Sequence, residues 1–205
     1  MTESHYFTSP TGPEKRRSIT ATIDGTEYTF TTANGVFSHS ALDRATAVLL
    51  REAPLPQGHS GRLLDLGCGW GPIAVALADR NPGAVVDAVD VNARALALCA
   101  ENASAIGAGD RVRPMLPEDA DPATRYDQIW SNPPIRIGKP ALHELLLTWL
   151  PRLTEDGVAH LVVGKNLGAD SLQRWIIEQG FDCDRIASDK GFRVFAARHG
   201  DLATD

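Results

Sequence analysis

Residues 131–139 of this chain read SNPPIRIGK, directly after the alternating apolar run YDQIW. A strand cannot continue through Pro133 and Pro134, because each fixes φ and neither has an N–H. The residue before each proline is also kept out of the helical region. The tripeptide Asn132-Pro133-Pro134 is therefore a rigid segment rich in acceptors and poor in donors. Either it is a plain turn, or it holds the Asn132 side-chain oxygen and the Pro133 carbonyl still before a group that donates hydrogen bonds. An exocyclic amine conjugated to a ring or carbonyl is such a group. Its lone pair is delocalised, and two fixed acceptors on its N–H bonds would polarise it and aim it, with no strong base required. An Asp in place of Asn132 would still accept.

A second constellation lies upstream. LLDLGCGWG at 63–71 places Gly67, Gly69 and Gly71 where a strand turns into a helix, which allows a tight turn and close approach of a ligand to backbone. Cys68 is a small residue packed within that turn. The next strand, VVDAVDV, leads to Asp90 and Val91, where a carboxylate can accept both hydroxyls of a ribose. Strand, glycine turn, helix, strand and acid together point to a nucleoside cofactor. The Gly-Lys-Ser/Thr of a phosphate loop is absent, and the spacing is G-x-G-x-G instead of the dinucleotide G-x-G-x-x-G. Asp65, two residues before the first glycine, would place a carboxylate at the mouth. That carboxylate repels a pyrophosphate and suits a cation. S-adenosylmethionine, with its sulfonium and ammonium and no phosphate, fits this chemistry better than NAD.

The elements that must position these groups alternate from residue 62 onward. Strands RLLDLG, VVDAVDV, VRPML, YDQIW and VAHLVVG are interleaved with helices over about 71–79, 92–106, 141–150 and 169–179. Alternation of this kind predicts an α/β fold with a mostly parallel sheet covered on both faces. FDCDRIAS and GFRVFAAR, facing each other across Asp189-Lys190-Gly191, predict a closing hairpin with one antiparallel strand. In such a sheet the ligand sits at the carboxyl ends of the strands, near the switch point, which brings Asn132 toward the glycine loop. Upstream, ITATIDGTEYTF is a hairpin around Asp-Gly. SALDRATAVLLRE is an amphipathic helix with Ser40 as N-cap and Asp43 at the capping-box position. Residues 1–53 read as an N-terminal extension packing on a catalytic core at 54–205. Residues 1–16 read as an extended lead-in, and the tail from His199 as frayed.

Composition bounds the partners. The 205 residues are 43% hydrophobic and 22% charged, with a formal net charge of −6. That is an ordinary globular balance, and it argues against non-specific coating of nucleic acid. Local basic pairs remain: EKRR at 14–17, Arg111 with Arg113, and Arg136 with Lys139. No apolar run reaches the ~20 residues of a membrane span, and MTESHYFTSP has no leader pattern. Three separated cysteines fit neither a disulfide framework nor a zinc site, and His39, His143 and His160 have no metal-ligand spacing. The expected compartment is a reducing cytoplasm, and no metal is expected.

The Asp-x-Gly-x-Gly-x-Gly segment resembles motif I of the class I S-adenosylmethionine-dependent methyltransferases, and VDAVDVN resembles their second motif. Their Rossmann-like sheet has seven strands. The resemblance implies an adenine contact after the third strand, at Glu118 or Asp119 of PEDAD. Asn-Pro-Pro followed by an aromatic marks amino-group methyltransferases acting on adenine, guanine N2 or glutamine amides. Ile135 departs from that pattern, so the stacking face would have to come from Phe37 or the Arg136 guanidinium. HYF at 5–7, NGVFSHSALDRATAVLL at 34–50, SNPP and KGFRVF together are similar to the small-domain enzymes that make N2-methylguanosine in ribosomal RNA. There a Gly-x-Phe-Ser…Leu-Asp-x-Gly element packs over the cofactor. Phe37, Ser38, Leu42 and Asp43 match it, and Ala45 replaces the final Gly. Some bacterial members carry a further degenerate N-terminal domain, which this chain is expected to lack.

The resemblance thus implies methyl transfer from S-adenosylmethionine to guanine N2 of ribosomal RNA or of a ribosomal subunit. Asn132, Pro133 and Pro134 would be catalytic. The cofactor would be held by Phe37, Ser38, Asp65, Gly67, Cys68, Gly69, Gly71, Asp90, Val91, Glu118, Asp119 and Asn132. Ile135, Arg136, Lys139 and Lys165 would face the substrate. The competing readings are a glutamine amide, adenine N6 or a small-molecule amine as acceptor, and a non-enzymatic cofactor-binding factor in ribosome assembly.

Overall fold

A computed structural model describes residues 13–200. The HYF segment at 5–7 and the tail beyond residue 200 lie outside the described residues. Two strands, β1 (Arg16–Ile23) and β2 (Thr26–Ala33), form an antiparallel hairpin. Its turn places Asp24 and Gly25 at φ 45° and 79°, the left-handed pair that matches strand twist in a two-residue hairpin.

The main sheet has seven strands: β3 (Arg62–Leu66), β4 (Val85–Val89), β5 (Val112–Met115), β6 (Tyr126–Ser131), β7 (Leu153–Gly164), β8 (Phe181–Asp189) and β9 (Phe192–His199). Their order is β5-β4-β3-β6-β7-β9-β8, with the first five parallel and β9 antiparallel to both neighbours. The helices are α1 (Arg44–Glu52), α2 (Pro72–Arg80), α3 (Ala93–Ala105), α4 (Lys139–Trp149) and α5 (Ala169–Glu178). The α/β class and the mostly parallel sheet with its closing hairpin are as the sequence predicts. β7 is longer than VAHLVVG alone suggests. It begins at Leu153, with a register irregularity opposite the Tyr126–Gln128 stretch of β6.

One apolar layer joins the hairpin (Ile23, Tyr28, Phe30) and α1 (Val48, Leu49) to α2, α3 and one face of the sheet. Phe30 meets Trp70 edge-on, with ring centroids 4.9 Å apart. Polar ties reinforce this layer. The Tyr28 hydroxyl donates to Asp79 at 2.6 Å. Asn102 on α3 accepts from the Thr31 N–H and donates to the carbonyls of Thr31 and Trp70. The other face of the sheet is covered by α4 and α5, around Leu146, Trp149 and Ile176.

The start of α1 differs from expectation. Its N-cap is Asp43, not Ser40. The Asp43 carboxylate accepts from the N–H groups of Ala45 and Thr46 at 2.9 and 3.1 Å, a cap that a charged acceptor makes well. Ser38 adopts φ 52°, and its hydroxyl donates to the Ala41 carbonyl, so the chain folds back before the helix begins.

Candidate functional site

The carboxyl ends of β3, β4 and β6 meet at one place, and short hydrogen bonds lock them. The Ser131 hydroxyl, buried at the end of β6, donates to the Leu66 carbonyl of β3 at 2.7 Å. That bond sets Asn132 beside the glycine loop. The loop itself hangs from β4, since Gly67 and Cys68 donate their N–H groups to the Val89 carbonyl. Gly67, Gly69 and Gly71 all have positive φ, at 77°, 55° and 90°. At Gly71 a Cβ would also sit 2.6 Å from the Cys99 sulfur, whereas at Gly67 and Gly69 nothing lies within 4 Å. Those two glycines therefore border open space that a bound molecule could fill.

The two acids behave differently. Asp90, just past β4, accepts from the Gly69 N–H and the Asn92 N–H, both at 2.9 Å. Burial raises its pKa, and these backbone donors oppose the rise. Asp65 is not at an open mouth. It is fully buried in β3, beneath the loop, and one oxygen accepts from Ala74 N–H in the first turn of α2. Its other oxygen, Oδ1, has no hydrogen-bond partner. Burial first, and the Asp90 charge after it, push its pKa up to about 8, against the Ala74 bond that lowers it. A buried carboxylate with an unpaired oxygen lacks a compensating cation or donor. The Cys68 thiol is buried, and its pKa is raised by that burial.

Asn132 is partly buried. Its amide nitrogen donates to Asp43 Oδ1 at 2.9 Å and to Thr46 Oγ1 at 3.1 Å, across 89 and 86 residues of sequence. The segment that follows is a turn as well as an acceptor. Pro134 sits at φ −74° and ψ 71°, and the Ile135 N–H donates to the Pro133 carbonyl at 2.8 Å, an inverse γ-turn. The Pro133 oxygen keeps one lone pair for another donor.

One pocket brings together Phe37, Ser38, Asp43, Thr46, Gly67, Cys68, Gly69, Trp70, Pro72, Ile73 and Asn132. Phe37 is 50% exposed over it, and Val91, beyond Asp90, is 47% exposed. Asp65, Gly71 and Asp90 support this pocket from behind without lining it. Asn92 caps α3 and donates to the Gly35 carbonyl at 2.8 Å, which ties the β4 end to the Asn34-Gly35 loop before Phe37. Sequence reasoning noticed Asp43 only as a helix-start and motif residue, and it missed Thr46, Pro72, Ile73 and Asn92. The α1 register carried a signal, because Asp43 and Thr46 are three apart and share a helix face.

The remaining candidates lie outward. Glu118 and Asp119 form an exposed 3-10 turn after β5. Ile135 packs against the α4–α5 layer, so its side chain is committed to apolar packing. Arg136 and Lys139, flanking the start of α4, are exposed, as is Lys165 at the end of β7. Within the other basic runs, Arg16 pairs with Glu14 and Glu101, and Arg111 donates to the carbonyls of Ala78 and Asn81. Among the described residues no group of three or more His, Cys, Asp or Glu could hold a metal ion. No helix among them is long and apolar enough to cross a membrane.

Comparison with known proteins gives this geometry a context. Residues 27–196 match the family model "Methyltransferase small domain". The chain is 29% identical over 200 residues to the uncharacterized protein YbxB of Bacillus subtilis, covering 97% of this chain and 99% of that one. It is 36% identical over 139 residues to the ribosomal RNA small subunit methyltransferase C of Shewanella halifaxensis, covering 65% of this chain. That alignment takes in only 39% of the Shewanella protein. Among solved structures, the T. thermophilus 16S rRNA N2 G1207 methyltransferase RsmC, in complex with AdoMet and guanosine, superposes with a TM-score of 0.76 at 26% identity. The match covers 93% of this chain and 52% of that one.

Proposed function

This chain belongs to the methyltransferase small-domain family, and from that premise we propose that it methylates the exocyclic N2 amine of a guanine in ribosomal RNA. The methyl donor is S-adenosylmethionine, which when bound supplies an electrophilic methyl group on a sulfonium. The residues present fit it. Gly67 and Gly69 leave open space at their Cβ positions, and the orphaned Asp65 oxygen suits the positive charge that a phosphate ligand would lack. Asp90 and Val91 would hold the ribose and base side, with Glu118 or Asp119 at the adenine. Phe37, Ser38 and Cys68 would complete the cofactor wall, with Gly71 behind it.

The observation that carries the reading is the state of Asn132. Both hydrogens of its amide are taken by Asp43 and Thr46, which leaves the side-chain oxygen as an acceptor in the pocket that contains the glycine loop. With the free lone pair of Pro133, it would take the two N–H bonds of a planar amine and turn the nitrogen lone pair toward the methyl. Pro134 holds that carbonyl in place through the γ-turn. Ribosomal RNA is favoured as the source of the amine by the names of the RsmC relatives, which this chain resembles over part of their length. Arg136, Lys139 and Lys165 would meet its phosphates, and Phe37 would offer the stacking face that Ile135 does not.

Nucleoside mass spectrometry of ribosomal RNA from a strain lacking the gene tests this reading. N2-methylguanosine should fall by one residue per ribosome and return with the wild-type gene but not with Asn132→Ala. An unchanged N2-methylguanosine content overturns the substrate. A loss of N6-methyladenine, or of methylated glutamine in protein, would redirect it to those amines.

A further inference from the structure

A primary amide can present either its oxygen or its nitrogen to a pocket, and the two faces select opposite partners. Asp43 fixes this choice for Asn132. An ionised carboxylate only accepts hydrogen bonds, so the atom 2.9 Å from Asp43 Oδ1 must be the amide nitrogen. The second amide hydrogen goes to Thr46 Oγ1 at 3.1 Å. A flipped amide would put its oxygen against the carboxylate and lose the Asp43 bond, keeping at most one from the Thr46 hydroxyl. Asp43 is itself immobilised, because the same Oδ1 receives the Ala45 and Thr46 N–H groups at the start of α1.

We propose that Asp43, with Thr46, is a positioning residue that holds the Asn132 amide with its oxygen toward the acceptor, so that the site takes a hydrogen-bond-donating amine and rejects an accepting group. This rests on the amine-methyltransferase reading above. Asp43 acts through Asn132 and touches no reacting atom in this arrangement. The clamp also makes a charge at position 132 costly, since a second carboxylate there would face Asp43 across a hydrogen-bond distance.

Asp43→Gly tests the clamp while sparing the helix, because Gly is tolerated at an N-cap and removes the oxygen that holds the amide. Asn would not serve, since Oδ1 both caps the helix and accepts from Asn132, and Asn keeps that oxygen. Methyl transfer from labelled S-adenosylmethionine is measured on small ribosomal subunits from a strain lacking the gene, beside cofactor affinity by calorimetry. Asp43→Gly should lose about tenfold or more in kcat, with cofactor affinity and melting temperature nearly unchanged. Thr46→Val should lose less. In an Asn132→Ala background, Asp43→Gly should cost nothing further. The sharpest arm is removal of the facing charge. Asn132→Asp alone should be close to inactive, and adding Asp43→Gly should restore activity at least tenfold, since no second carboxylate then faces position 132. Full activity of Asp43→Gly, loss of cofactor affinity in step with rate, or failure of the double variant to recover would overturn the inference. If wild-type protein transfers nothing to the subunit, the RNA reading fails on its own, and the clamp is judged by NMR. The Asn132 carboxamide proton resonances, identified by their loss in Asn132→Asp, should be protected from solvent exchange in wild type and exposed in Asp43→Gly. Unchanged protection would sink the clamp.

Discussion

The inner wall of the pocket and its outer rim are built on opposite terms. Inside, Asn132, Asp43, Thr46, Ser131, Asp90 and the Gly69 N–H are joined by bonds of 2.7–3.1 Å, and each polar group answers another. Outside, Glu118, Asp119, Arg136, Lys139 and Lys165 are exposed on short turns and helix starts. Preorganisation resides in the first set, where rate is gained by not having to reorient groups at the moment of reaction. The second set is free to follow a large, charged surface, and its contributions are individually small and screened by salt. Changes to the inner set should therefore alter turnover or cofactor binding, and changes to the basic rim should alter only capture of the acceptor.

The largest effect is expected at Asn132. Asn132→Ala removes one preorganised acceptor, and turnover should fall by roughly 10²–10³-fold with cofactor affinity little changed. The sequence alone makes Asp the milder replacement, as a carboxylate still accepts. The structure reverses this, because Asp43 stands 2.9 Å away. Two carboxylates that close share a proton, and one pKa rises. Asn132→Asp should be at least as damaging as Asn132→Ala at pH 8 and should recover as the pH is lowered and the pair takes up that proton. A pH–rate profile of labelled methyl transfer decides it.

Asp90 comes next. Asp90→Ala would remove a charged acceptor for the ribose hydroxyls and also release the Gly69 N–H. Charge-assisted bonds are worth roughly 1.5–3 kcal/mol, so cofactor affinity by calorimetry should drop about ten- to a hundredfold. Asp90→Asn, which keeps an acceptor for Gly69, should lose less.

Asp65 sharpens the comparison through pH. A carboxyl group raised from 3.8 unfolded to about 8 folded keeps its proton in the native state while the unfolded chain gives it up. Stability should therefore be greatest below pH 4 for this group and should be lost as the pH rises toward 8. In thermal melts without cofactor, Asp65→Asn should flatten that decline between pH 5 and 8.5. Saturating S-adenosylmethionine should flatten it in wild type too, if the field of its cationic end favours the ionised carboxylate from across the loop. A wild-type slope unaffected by either would remove Asp65 from the cofactor site.

The smallest effects belong to the rim. Arg136→Ala with Lys139→Ala should weaken binding of ribosomal RNA fragments only severalfold at moderate salt. It should also lower the slope of log affinity against log salt by about 1–2 if both reach phosphates. An unchanged slope would assign RNA contact to another face.

Much of this was legible in the residues. Asp24-Gly25 specified the hairpin turn, and the alternation from Arg62 onward specified the sheet, because turn chemistry and apolar period are local. What was not legible depends on contacts between distant segments. The clamp joins residues 43 and 132, and no local pattern reports that pair. Asp65 was misplaced at an open mouth because a single acid within RLLDL looks like an edge of the site. In a central strand covered on both faces, it is instead sealed. Asp43 replaced Ser40 as cap because the bond from the Ser38 hydroxyl to the Ala41 carbonyl holds Ser40 within a turn, and a carboxylate was available where the helix starts. Ile135 was legible as a departure, though its packing onto the α4–α5 layer was not.

Asn102 has a consequence for how the molecule opens. Its one side chain bridges the hairpin backbone at Thr31 and the glycine-loop backbone at Trp70. Transient detachment of the hairpin therefore cannot leave the loop untouched, and the two should open as a single cooperative unit. The Thr31 amide, in the hairpin and outside the pocket lining, becomes a reporter of it. Its hydrogen-exchange rate should slow when the cofactor binds, in proportion to how far binding suppresses that shared opening.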